Sequence, residues 1–231
     1  MPDLPAVHPL QPRFAQAITG VLALEAAVFG QPAVLAVALV LVLLSLLGPR
    51  WSPVAWLFRR IAPPARDLEP AAPVRFSQGL AAALLAVALV LVLAGQDVAG
   101  WAVAGVVAAV ALISAVTGFC IGCEAYRLLL LRRGAGEGDL RDDLGLPGGG
   151  PWLVVLTAPG CARCEPVARE VERAAGGREV LRVSLAEHPR AASLPVRSVP
   201  AALAIGADGR LRRARAGRLG RPEITEVVAA V

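Results

Sequence analysis

The run Trp152-Leu153-Val154-Val155-Leu156-Thr157-Ala158-Pro159-Gly160-Cys161-Ala162-Arg163-Cys164 decides how the C-terminal part of the chain folds. Five consecutive large apolar residues, followed by a Pro-Gly pair, read as a short strand buried on both faces. From Ala162 to Ala175 the pattern switches to helical periodicity. Downstream, Val180 to Leu185 reads as a second strand. Ala201 to Ile205 and Leu211 to Ala216 read as a hairpin turning at Asp208-Gly209, and Pro222 to Val231 as a closing helix. An α/β domain is therefore expected over residues 151–231. Immediately upstream, residues 132–150 are glycine-rich with mixed charge, end in Pro147-Gly148-Gly149-Gly150, and read as a flexible linker.

Further upstream the composition changes. The 231 residues are 56% hydrophobic, with a mean hydropathy of +0.63. That is too apolar for an ordinary soluble domain, and the excess sits in residues 14–131. Four apolar stretches lie there: Phe14 to Phe29, Ala33 to Leu47, Gly79 to Ala94 and Val98 to Cys123. At 1.5 Å per helical residue, each approaches the roughly 30 Å of a hydrocarbon core. The first is interrupted by Glu25, read as an interfacial carboxylate near the Gly30 turn, with a buried functional carboxylate as the alternative. The stretches also repeat. Arg13-Phe14-Ala15-Gln16 opens the first pair and Arg75-Phe76-Ser77-Gln78 the second, and the pairs turn at Gly30-Gln31 and Gly95-Gln96. The expected architecture is an α-helical membrane bundle of four transmembrane helices in two repeated hairpins over residues 1–131, followed by the linker and the α/β domain. The opening Met1-Pro2-Asp3 has no basic n-region, and no cleaved signal peptide is expected.

All 23 basic residues are arginine, and the net charge is +5. The arginines gather at the ends of apolar segments and in the late hairpin (Arg210, Arg212, Arg213, Arg215, Arg218), with too few aromatics to stack bases, so no nucleic-acid partner is expected. The hairpin arginines read as a solvated edge, or as a contact with anionic headgroups. The two short turns carry no arginine. Arg13, the 50–75 connection and the exit at Arg127, Arg132 and Arg133 carry it all, which makes that side cytoplasmic. The expected location is the plasma (inner) membrane, multi-pass, with the N-terminus and the C-terminal domain in the cytoplasm. Within the connection, Trp51, Trp56, Leu57 and Phe58 before Arg59-Arg60 read as a short helix in the bilayer interface.

The four cysteines form two Cys-x-x-Cys pairs, which in a cytoplasmic setting point to redox or metal chemistry. Cys161 and Cys164 follow a buried strand and open a helix. There, unpaired N–H groups and the helix dipole favour a thiolate, and Arg163 adds positive charge. Cys161 is the expected nucleophile and Cys164 the resolving thiol. The second pair, Cys120 and Cys123, lies at the end of the fourth apolar stretch, on one helix face at a spacing of three. It reads as a second redox pair or soft-metal site, or as small packing residues.

Residues 150–231 resemble the thioredoxin superfamily, through Cys161-Ala162-Arg163-Cys164 and through Ser198-Val199-Pro200. The latter is similar to that family's cis-proline loop, whose backbone, here at Val199, would pair with a substrate chain. The sequence departs from the family twice: Val155 stands where a buried acidic residue is usual, and Gly160 where tryptophan is usual. Residues 9–126 resemble an uncharacterised bacterial family of four-helix membrane domains. The matching residues are Pro12-Arg13-Phe14, Gly48-Pro49-Arg50, Ser52-Pro53, Pro73 to Phe76 and Gly118-Phe119-Cys120-Ile121-Gly122-Cys123-Glu124. That resemblance implies architecture and no activity.

Three readings follow. The first is a membrane-tethered thiol–disulfide oxidoreductase acting on a protein or small-molecule thiol or disulfide, with Cys120/Cys123 exchanging electrons with Cys161/Cys164. It needs no cofactor beyond its dithiols. The second is handling or transport of a soft metal or persulfide sulfur. The third is a non-catalytic membrane scaffold. No phosphate-binding glycine loop joins a strand to a helix, which argues against nucleotide chemistry. The sequence leaves the direction of electron flow and the oligomeric state open.

Overall fold

The computed structural model describes residues 6–63, 65–132, 138–188, 190–191, 194 and 196–231. Met1-Pro2-Asp3, Arg133 and part of the 132–150 stretch lie outside these. The described residues form two compact units. One is helical, over 10–63 and 73–126. The other joins residues 6–9, 65–72 and the chain from Arg127 onward.

The helical unit contains α1 (Leu10–Phe29), α2 (Pro32–Leu47), α3 (Pro53–Ile61), α4 (from Ala71 to Leu93) and α5 (Asp97–Thr117), and α6 (Ile121–Arg132) begins in it. The repeated Gly-Gln pairs do the same work in both hairpins. Gly30 and Gly95 adopt φ of 61° and 77°. The next N–H reaches back five residues, Gln31 to the Ala26 carbonyl at 3.0 Å and Gln96 to the Leu91 carbonyl at 2.9 Å. This closes each helix with a left-handed glycine and satisfies an otherwise orphaned carbonyl. The α3 helix starts where Ser52 accepts a hydrogen bond from the Ala55 N–H at 3.1 Å, with Pro53 at its first position. It buries Val54, Ala55 and Phe58 and leaves Trp56, Leu57 and Ile61 exposed, as is Trp51 just before it, with Arg60 stacked 4.4 Å over Trp56. The interior is built from Ala23, Ala26, Leu35, Ala38, Val42, Ala82, Leu85, Ala88, Ala104, Val107 and Ala108.

Two helices, α4 and α5, are long and apolar enough to cross a membrane. At 16 residues α2 is shorter, and α1 carries Arg13 and the exposed Glu25.

The second unit is a four-stranded sheet with helices. Its elements are β3 (Trp152–Thr157), α8 (Cys164–Ala174), β4 (Val180–Ser184), β5 (Ala201–Ile205), β6 (Leu211–Ala216) and α9 (Arg221–Val228), in the strand–helix–strand–hairpin–helix order read from the sequence. The sheet order is β4-β3-β5-β6, with β3 parallel to β4 and antiparallel to β5. Side chains alternate across it. Leu153, Val155, Ala202 and Ala204 meet Ala168 and Val171 of α8 and Ile224 and Val227 of α9. Trp152, Val154, Leu156, Leu203 and Ile205 face a second cluster holding Leu185, Leu194 and Val199.

Other parts of the chain complete that second face. A short helix, α7 (Arg141–Leu144), lies within the stretch read as a linker and buries Leu140 and Leu144 against this face. Ala6 and Leu68 join the same cluster. They come from a two-stranded ribbon in which β1 (Ala6–Val7) pairs with β2 (Glu69–Pro70). On the outer strand β6, Arg213 and Arg215 pair with Glu226, and Arg212 with Asp208. A charged edge of this kind resists pairing with another sheet.

Candidate functional site: two cysteine pairs

Cys161 and Cys164 are joined as a disulfide, with Cα atoms 5.5 Å apart. They sit in the turn between β3 and α8. The Cys161 N–H bonds to the Ala158 carbonyl and the Cys164 N–H to the Cys161 carbonyl, both at 3.3 Å. Cys161 thus precedes the first helical residue by one turn, and Cys164 starts the helix. Gly160 adopts φ of +82°. A bulky side chain is strained in that conformation, which favours glycine at this position. The two residues are unequally exposed: Cys161 is half-buried, Cys164 is 5% exposed.

The structure brings Val199 and Pro200 to this disulfide. The Val199–Pro200 peptide is cis, both residues are buried, and the Val199 carbonyl lies 3.9 Å from the Cys161 Sγ. Val155 is fully buried in β3 with no ionisable group in its place. Arg163 does not stand as an isolated charge beside Cys161. Its guanidinium grips both carboxylate oxygens of Asp67, at 3.0 and 3.2 Å. Asp67 and Leu68 were absent from the residues singled out by sequence, and Arg66 entered only as one charge of the 50–75 connection. They stand nearly a hundred residues upstream, and no local pattern joins them to Cys161.

The second pair differs from its expected form. The fourth apolar stretch was read as continuous to Cys123, but α5 stops at Thr117, because Gly118 turns left-handed at φ of 74°. Cys120 then caps a new helix, α6. Its carbonyl accepts the Glu124 N–H at 3.0 Å, and its sulfur accepts the Cys123 N–H at 3.3 Å, the part a serine or threonine hydroxyl usually plays. The helix-capping cysteine is thus Cys120. The signal that could have found this is Gly118, a left-handed terminator three residues before a new polar-capped segment.

Around Cys120 the environment favours ionisation. The residue lies past the end of α5, and its thiol is lowered from 9.0 to about 5. The hydrogen bond with the Cys123 side chain is the largest cause. Ser77, the Cys123 backbone and Gln16 add to it, and burial works against it. Ser77 Oγ stands 3.3 Å from the Cys120 sulfur. Close approach is possible because residue 122 is glycine: a Cβ there would come 2.6 Å from Ser77 Oγ. Both cysteines border a cavity of about 230 Å³ inside the helical unit, lined mainly by apolar residues with Gln16, Thr19, Ser77 and Ser114 among them. Among the described residues, no three His, Cys, Asp or Glu side chains gather where they could hold a metal ion.

The class defined so far is a two-unit protein, a small-cored helical bundle and an α/β sheet, each with its own cysteine pair. Compared with known families, residues 7–131 match the domain of unknown function DUF4395, and the chain belongs to that family. The match covers the helical stretches, Cys120 and Cys123. No curated protein and no solved structure matches the chain.

Proposed function

We propose that the protein is a membrane-embedded thiol–disulfide oxidoreductase. Its sheet unit would act as a thioredoxin-like domain, with Cys161 as nucleophile and Cys164 as resolving thiol. The observation that carries this is the Cys161–Cys164 disulfide in the turn leading into α8, with Cys161 half-buried and Cys164 buried, beside the Val199 backbone. In the reduced state, the Cys161 thiolate attacks a substrate disulfide, forming a mixed disulfide and releasing one substrate thiolate. Cys164 then attacks the Cys161 sulfur, releases the second substrate thiol and leaves the Cys161–Cys164 disulfide. Two electrons have moved to the substrate. The Cys120/Cys123 dithiol is the proposed donor that returns them. The low-lying Cys120 thiol supplies the attacking thiolate, and an external dithiol reduces the resulting Cys120–Cys123 disulfide.

The membrane reading is that α1, α2, α4 and α5 all span, with α3 in the interface and both chain ends cytoplasmic. It is supported by the sizes of inward and outward residues: alanines fill the interior of the helical unit, and Val21, Leu24, Val40, Leu43, Val87 and Val106 face outward. Without a hydrophobic drive between helices, small residues permit close packing and large apolar ones meet lipid. A second reading, transfer of persulfide sulfur by Cys120, is favoured by the cavity at that thiol. Cyanide-releasable sulfur in purified protein would support it.

The decisive experiment replaces Cys164 with Ser, so that a mixed disulfide at Cys161 persists. Membranes are isolated without reductant and disulfide-linked peptides mapped. A link from Cys161 to Cys120 or Cys123 is the expected result. A link to another protein alone would remove Cys120/Cys123 from the pathway, and absence of any adduct, with disulfide reduction unaffected by Cys161→Ser, would overturn the proposal.

A further inference from the structure

The segment Arg66-Asp67-Leu68 crosses the sheet unit beside the disulfide. Leu68 and Val199 exchange both backbone hydrogen bonds, Leu68 N–H to the Val199 carbonyl at 3.1 Å and Val199 N–H to the Leu68 carbonyl at 2.8 Å. One step along, the Arg163 N–H donates to the Arg66 carbonyl at 3.2 Å, and that carbonyl oxygen lies 3.9 Å from the Cys161 sulfur. Between these, Asp67 receives the Arg163 guanidinium on both oxygens. The Leu68 side chain is 8% exposed, in the cluster that also holds Val199 and Cys164.

Three backbone hydrogen bonds, an ion pair in which Arg163 Nη1 meets both Asp67 oxygens, and a buried apolar anchor make this a complete recognition of a segment that bends at Arg66 and Asp67 and pairs as a strand at Leu68. Backbone pairing supplies affinity, and alternate side chains supply selectivity. An exposed brace would need none of the last two. The contacts also compete with a second chain: the Val199 backbone groups are used, and the Arg66 carbonyl lies against the Cys161 sulfur.

We propose that Arg66-Asp67-Leu68 is a resident occupant of a peptide groove formed by Val199, Arg163 and Cys161, and that substrate chains must displace it. By the same contacts, the groove selects a polypeptide carrying an acidic residue followed by a large apolar one that pairs with Val199, with Arg163 reading the carboxylate. This rests on the redox reading of Cys161/Cys164 and names the substrate class for that site. Because the strap is tethered at both ends, it competes at an effective concentration on the order of millimolar. A free peptide therefore binds the intact protein weakly.

The test uses the full chain in detergent, with Cys161–Cys164 kept oxidised so that no exchange chemistry enters. The probe is a fluorescent peptide Ala-Arg-Asp-Leu-Glu-Pro, matching residues 65–70, against a control with arginine in place of its aspartate. Anisotropy should show the acidic peptide binding about threefold more tightly to Asp67→Ala than to the parent protein, the scale of one partly exposed ion pair. Leu68→Pro removes the N–H that Val199 accepts, and should raise affinity at least about tenfold as the tethered competitor leaves. Arg163→Glu should reverse the preference between the two peptides. Equal affinity for both peptides in the parent and in Asp67→Ala, with no reversal in Arg163→Glu, would overturn the proposal whether or not Leu68→Pro folds. Peptide discrimination without any disulfide-reducing activity would sink the redox reading and leave the groove standing. Activity without discrimination would do the opposite.

Discussion

In the helical unit, seven of the eleven buried core residues are alanine, while valine, leucine and isoleucine dominate the exposed positions. In the sheet unit the largest fully buried side chains are Leu144, Leu156, Leu185, Leu203, Ile205, Ile224, Val154, Val155, Val171 and Val199, packed with a few alanines, and arginine lines the outer strand. The same side chains thus take opposite places in one polypeptide. Burial of large apolar surface drives the sheet together in water. In the helical unit large residues gain nothing by turning inward if the surroundings are already apolar, and small ones let helices approach. The difference teaches that exposure has two meanings in this chain, and that a residue's environment must be judged unit by unit.

Substitutions can break that contrast, and their expected effects fall in order. Leu203→Asp puts a carboxylate at a fully buried position in the central strand β5. It should cost more than about 4 kcal/mol and unfold the sheet unit, seen as a protease-sensitive C-terminal region. Next comes Val40→Arg, at a position 52% exposed near the middle of α2. In water such a change costs under about 0.5 kcal/mol, but facing lipid it costs about 3 kcal/mol. Sharply reduced recovery in the membrane fraction is expected, and normal recovery would remove α2 from the proposed spans.

A smaller effect sharpens the picture of the polar spot inside the bundle. With its thiol lowered to about 5, Cys120 should be alkylated by iodoacetamide at a rate that climbs through that pH and is flat near neutrality. An ordinary thiol keeps climbing towards 9.0. The sign for stability is that of a depressed acid: ionised Cys120 stabilises the fold in full above the unfolded value, and the contribution is lost as pH falls through about 5. Ser77→Ala should move the alkylation midpoint upward, because one hydrogen bond to the thiolate is gone. Last, Arg218→Leu at an exposed position of the sheet unit should change its stability by less than about 0.5 kcal/mol, measured by chemical denaturation.

Much of this was legible locally. Gly30-Gln31 and Gly95-Gln96 announced identical turns, because a left-handed glycine terminates a helix wherever it stands. The strand β3 was readable for a related local reason: a short run of large apolar residues bounded by a Pro-Gly pair fits a strand buried on both faces. Two features were hidden. Apolar residues continue from Val98 through Ile121, so composition masks the break at Gly118, and the capping part of Cys120 disappears with it. The strap was hidden by distance along the chain. Arg66-Asp67-Leu68 looks like a charged connection, and its partners Arg163 and Val199 lie far downstream. Pairing between remote segments leaves no periodicity to detect.

The sheet unit is discontinuous along the chain, and synthesis gives that arrangement an order. Residues 65–72 leave the ribosome between two apolar hairpins, long before Arg163 and Val199 exist. The strap is therefore waiting when the last strands are made, and the groove assembles around it, since contacts of such long sequence separation form late. Each new copy is released already occupied. Competence arises later, through exchange of the resident segment for a substrate chain.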